Sequence, residues 1–200
     1  VELPPLAPTS VAPLGANDTI GLLFLSRLDP KKNLEGLLDA MPLLRKSAPQ
    51  ARLVIAGDGP TPYVEQLKAH CARLEIADVV HWAGHLESDA REAAFANASI
   101  FVLPSFSENF GMAAAEALAR GLPCVLGAGV AISQDVVRAG AGVAIDTDAQ
   151  SICNALRLMI EDTHALAAMS SKARQLAHAC YSMQAMGASL KQLYTEILAR

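Results

Sequence analysis

A doubly wound, Rossmann-like parallel α/β sheet of six strands, with helices on both faces and additional C-terminal helices, is the fold class this 200-residue sequence predicts. Three observations predict it. Between Thr19 and Asp148, short continuous apolar runs alternate with stretches of amphipathic helical period. That is the pattern of strands covered on both faces and joined by crossover helices. Each apolar run ends in glycine, proline or charged residues, where strands hand over to loops. After Asp148 only helical patterns remain.

Residues 1–18 carry Pro4, Pro5, Pro8 and Pro13 among small residues, which predicts an extended linker from a preceding domain. The folded unit is expected over 19–200. Its first strand is Ile20 to Leu25. Asn33 can cap a helix to about Lys46, with Leu34, Leu37, Leu38, Met41 and Leu44 on one face. A second strand over 53–56 is closed by Gly57-Asp58-Gly59-Pro60, and a helix follows over about 61–74. A third strand over 79–82 and a short helix over 87–97 lead to the stretch SIFVLPSFSENFGMAAAEALARGLPCVL at 99–126. This reads as a strand over 100–103, a loop, an alanine-rich helix over 110–120 capped by Asn109, and a strand over 124–126. A weak helix over 134–139 and a sixth strand over 142–145 complete the alternation. Helices are then expected over about 150–161, 163–179 and 183–199.

With 52% hydrophobic residues the chain can bury a sizeable core. A formal charge of −4 and dispersed Lys and Arg give no electrostatic case for nucleic acid. No apolar segment reaches the length of a membrane span, and the N-terminus lacks the basic-then-apolar order of a signal peptide. Cys71, Cys124, Cys153 and Cys180 form no CxxC pair and read as reduced, mostly buried thiols, so a soluble cytoplasmic protein is expected. His81 and His85 flank a strand-like segment and read as ordinary, and no metal spacing appears.

In doubly wound sheets, ligands bind beyond the carboxyl ends of the strands. Those ends carry Arg27 to Asn33, Gly57 to Pro60, Gly84, Pro104 to Asn109 and Gly127 to Gly129. Arg27 and Lys32 suit the phosphates of a nucleotide diphosphate, though by residue type alone they are as readily surface charges paired with Asp29. Glu108 and Glu116 are eight positions apart, about 12 Å if both lie on one helix. They are too distant to share a proton. With the amides of Phe110, Gly111 and Met112 between them, they form a carboxylate, amide cradle, carboxylate layout matching a sugar–diphosphate–ribose. A solvated loop acid and an exposed helix glutamate explain the same two residues. GDGP is not a dinucleotide fingerprint, and no P-loop or covalent nucleophile motif is present.

In this order, SRLDPKKN at 26–33, LVIAGDGP at 53–60, HWAGHL at 81–86 and PSFSENFGMAAAEALARGLPCV at 104–125 resemble the C-terminal domain of retaining GT-B glycosyltransferases, the glycosyl transferases group 1 family. The resemblance covers about residues 19–200 and implies one half of a GT-B fold that binds a nucleoside-diphosphate sugar. It implies that Arg27 and Lys32 bind the donor phosphates and stabilise the leaving nucleoside diphosphate, and that Glu108 contacts the donor sugar. Glu116 would hold the ribose. Gly57, Asp58, Gly59 and Pro60 would line the nucleotide pocket, and Ser107, Asn109, Phe110, Gly111 and Met112 would surround sugar and diphosphate. No cofactor or metal is implied, since the nucleotide-sugar is a substrate. The implied partners are that donor and an N-terminal acceptor domain, with membrane contact only for a lipid acceptor. Without that domain the fragment is expected to be inactive. Ser26 and the Gly127-Ala128-Gly129 stretch with its later Asp135 depart from the family pattern. The alternatives are a non-catalytic binding or assembly module of the same fold and a nicotinamide-dependent oxidoreductase, the latter lacking GxGxxG after the first strand.

Overall fold

The computed structural model describes residues 19–198, so the linker expected over 1–18 lies outside the described residues. In chain order the elements are β1 (Ile20–Leu25), α1 (Leu34–Arg45), β2 (Ala51–Ala56), α2 (Thr61–Arg73), β3 (Val80–Gly84), α3 (Ser88–Ala96) and β4 (Ile100–Leu103). They continue with α4 (Met112–Ala119), β5 (Cys124–Gly127), α5 (Ser133–Ala139), β6 (Gly142–Ile145), α6 (Ala149–Glu161), α7 (Thr163–Leu176) and α8 (Met183–Leu198). A 3-10 turn over Pro30–Lys32 leads into α1, and a π-helical turn over Ala177–Tyr181 separates α7 from α8.

The six strands form one parallel sheet in the order β3-β2-β1-β4-β5-β6. The central strands are apolar along their whole length because helices cover both faces. Ile100, Phe101, Val102 and Leu103 of β4 are all buried, as are Cys124 to Gly127 of β5. α1 packs against α2 and α6, while α4 and α5 pack against α7. Right-handed crossovers running outward in opposite directions from the centre put these two sets on opposite faces.

The order reverses between β1 and β4, whose registered pairs are Leu22 with Ile100 and Leu23 with Phe101. The loops leaving these neighbouring strands turn in opposite directions and open a crevice between them. The same end of the sheet carries the glycine turn after β2, which determines where the candidate site lies.

α8 stands apart from this core. Met183, Met186, Leu190, Leu193, Tyr194 and Ile197 recur at helical spacing and are all more than half exposed. Among the described residues no helix is long and apolar enough to cross a membrane.

Candidate donor site at the strand ends

The SRLDPKKN loop leaves β1 and is fixed by local chemistry. Asp29 accepts the backbone N–H of Lys31 at 3.0 Å and starts the 3-10 turn with Pro30 behind it. Asn33 then adopts a left-handed conformation, φ 54°, and its Oδ1 caps α1 by accepting from Gly36 at 3.3 Å. Its buried Nδ2 donates to the carbonyls of Thr147 at 2.7 Å and Pro104 at 3.3 Å. One side chain therefore ties the loop after β1 to those after β4 and β6.

This tie aims Lys32 across the switch point. Its Nζ forms an ion pair with Glu108 Oε1, both side chains about one-seventh exposed. Ser105 Oγ donates to the same oxygen at 3.0 Å. The Glu108 backbone is clamped as well. Its N–H donates to Gly129, and its carbonyl accepts from Ala131, both at 3.1 Å. The loop after β5 lies close enough that a Cβ on Gly129 would sit 2.0 Å from the Phe106 carbonyl. Within the stretch that departs from the family pattern, Gly129 thus still supports Glu108.

α4 begins later than the sequence pattern suggests. The expected helix over 110–120 starts at Met112, and Asn109 is exposed and does not cap it. Gly111 occupies the cap position instead, at φ 94°, with no side-chain bond to the first turn. The physical reason is that residues 108–111 are drawn out of helical geometry by the bridge between Glu108 and Val130. Glu108 is therefore a loop residue, and the helical rise of about 12 Å does not describe its separation from Glu116. The first-turn amides of α4 keep no intrahelical acceptor, which preserves the anion-binding character expected there. Phe110 packs edge-on against Tyr181 of the π-helical turn, 5.5 Å between centroids. The Tyr181 hydroxyl donates to Asp135 at 3.1 Å, and burial, then Asp135, pushes its pKa up.

Beside this cluster lies an open cleft of about 670 Å³, lined by Ser26, Arg27, Gly57, Asp58, His85 and Arg91 among others. Gly57 is required there. Its φ is 136°, and a Cβ would lie 1.9 Å from the Ser26 carbonyl. Gly59 packs under Leu28, whose N–H donates to the Asp58 carbonyl at 2.8 Å. Arg27 lines the cleft, three-quarters exposed and 3.8 Å from Asp29.

The predicted residues thus fall into two adjoining groups: Lys32, Glu108 and the start of α4 in one, Arg27 with the GDGP turn in the other. Ser107, Asn109 and Pro60 are exposed at the rim, as is Met112. Glu116 is only 15% exposed and meets Arg91, 2.5 Å away. Arg91, Ser105 and Tyr181 escape sequence reasoning. A single arginine on a polar helix, or one serine after a strand, carries no signal beyond composition. Of the cysteines, Cys71, Cys124 and Cys153 are buried and Cys180 is exposed, all as free thiols. Among the described residues no three His, Cys, Asp or Glu side chains gather as potential metal ligands.

The chain is similar to known proteins in both sequence and structure. The family model described as Glycosyl transferases group 1 matches residues 11–176. The GDP-mannose-dependent alpha-(1-6)-phosphatidylinositol monomannoside mannosyltransferase of Mycolicibacterium smegmatis is 30% identical over 187 residues, covering 90% of this chain and 48% of that protein. Among solved structures, Anabaena Alr3699/HepE in complex with UDP-glucose superposes with TM-score 0.77 at 25% identity, covering 93% of this chain and 50% of the other. The C-terminal domain of a glycosyl transferase group 1 family protein from Francisella tularensis superposes with TM-score 0.74 at 18% identity, covering 82% of this chain and 87% of that one. The chain spans about half the length of the curated relatives it matches.

Proposed function

Because the chain belongs to the glycosyl transferases group 1 family, we propose that it is the donor-binding half of a retaining glycosyltransferase. In this reading it holds a nucleoside-diphosphate sugar whose sugar passes to an acceptor bound elsewhere. The observation that carries the reading is the Lys32–Glu108 contact across the β1/β4 switch point, beside a cleft walled by Arg27 and the GDGP turn.

In this reading the site residues divide the labour. Lys32 and Arg27 meet the diphosphate, the first as a fixed point charge and the second as a mobile planar fork. The free amides at the start of α4 add partial positive charge. As the bond from sugar to phosphate breaks, negative charge grows on the departing diphosphate, and these groups stabilise it. Glu108 is held by Ser105 and by Lys32 through Oε1, which leaves its second oxygen to accept a sugar hydroxyl. Glu116 takes the ribose.

The acceptor site belongs to a further domain in this proposal, which is supported by the half-length match to the relatives. Offset of phosphate charge by side chains and amides, without a metal, is part of the same reading. So is a cytoplasmic location, which rests on the free thiols. Calorimetric titration of the folded chain with UDP, GDP and ADP tests the donor site. Binding of at least one is expected, and failure to bind any overturns the reading.

A further inference from the structure

Glu116 has surroundings that its proposed role alone does not explain. It sits between the buried Ala115 and Ala117 on α4, and its Oε2 is itself fully buried. The Arg91 guanidinium lies 2.5 Å from that oxygen, yet Oε2 has no hydrogen-bond partner. The contact is charge against charge with the hydrogens out of line. It anchors the carboxylate through Oε2, which is sealed from solvent, and leaves Oε1 as the oxygen that can meet a ligand.

Arg91 is in turn fixed from behind. Its guanidinium lies 5.7 Å from the ring centroid of Phe95, a side chain only 2% exposed. It also lines the cleft together with Arg27, Gly57 and Asp58. A cation braced on a buried ring thus meets the Glu116 carboxylate at the cleft wall. The two lone pairs of that second oxygen, Oε1, match two adjacent hydroxyl donors, the arrangement of a ribose diol. A 2′-deoxyribose offers only one.

We infer that Arg91 is a positioning residue for Glu116 and, through it, makes the cleft select ribonucleotides over 2′-deoxyribonucleotides. This rests on the donor-site reading. Arg91, at the cleft wall, fixes Oε2 of the carboxylate, and Oε1 of Glu116 accepts from both hydroxyls.

The test is calorimetric binding of UDP, GDP and their 2′-deoxy counterparts to wild type, Arg91→Ala, Arg91→Lys and Glu116→Gln, with melting temperatures recorded for each. Wild type is expected to prefer the ribonucleotide by about tenfold, the size of one hydrogen bond to a charged group. In Arg91→Ala that preference should fall below about threefold, chiefly through weaker ribonucleotide binding, and Arg91→Lys should keep most of it. If Arg91→Ala does not fold, Arg91→Met retains packing on Phe95 and is read in its place. A wild type that binds both sugars equally overturns the inference. So does an Arg91 variant that keeps the wild-type preference, or that weakens both nucleotides alike as a mere pocket cation would. Each of these leaves the donor site standing. Failure of folded wild type to bind any ribonucleoside diphosphate overturns the donor-site reading and the inference together.

Discussion

Asn33 shows how much one residue carries. Its side chain caps α1 and bonds two carbonyls from segments remote in sequence, while its backbone is left-handed. Asn33→Ala should lose about 2–4 kcal/mol of stability in urea unfolding, since a cap and two buried acceptors lose their partner. Asn33→Gly should lose about 1 kcal/mol less, because glycine accepts the positive φ without strain. Lys32→Ala leaves Glu108 with Ser105 alone. It should weaken nucleoside diphosphate binding by about 1.5–3 kcal/mol, read by calorimetry. At this scale the sequence is legible where residue type and position determine a role together. Asn33 reads as a cap, and Arg27 and Lys32 as phosphate groups. The bonds from Asn33 to Pro104 and Thr147 are not legible, because they depend on which loops the sheet brings side by side.

Elements read well wherever apolar period decides their limits. Ile20–Leu25, Ile100–Leu103 and Gly142–Ile145 emerge as expected: the second is buried throughout, and the other two keep an apolar run that is at least partly buried at every position. The start of α4 does not. Its alanine-rich sequence favours helix from Phe110 onward, but the bridge to Val130 claims the preceding residues and Gly111 turns the chain. α6 offers a cleaner test of an element's end. Asp148 accepts the Ser151 N–H at 2.9 Å, and its bonds to Ser151, side chain first, hold its carboxyl below the ordinary value of 3.8. A depressed folded-state value means stability present above that ordinary value and lost as pH falls through the folded one. Asp148→Asn keeps a capping acceptor without the titration. Its melting temperature should trail wild type by a constant amount near neutrality and converge with it in acid. The turn after β2 behaves differently. Gly57→Ala should cost about 1–3 kcal/mol from its φ of 136° alone, with the clash on Ser26 added, measured by urea unfolding.

For the whole molecule, one continuous hydrophobic core runs through the sheet and the helices on both its faces, which supports a unit that folds on its own. The expected outcome is a cooperative unfolding transition that moves upward when nucleoside diphosphate is added, as linkage requires. Sugar transfer should appear only after an acceptor domain is joined, checked by product formation with and without it. The apolar stripe of α8 is exposed among the described residues. The pairing of β1 with β4 has a further consequence. It joins segments about eighty positions apart through two registered residue pairs, so it is among the most entropically expensive contacts to form early in folding. Lys32 and Glu108 meet only after that seam has closed. The candidate site is thus complete only when both halves of the sheet are joined, and a nucleotide bound there would report that closure. A chain stalled with either half alone should then bind no nucleoside diphosphate.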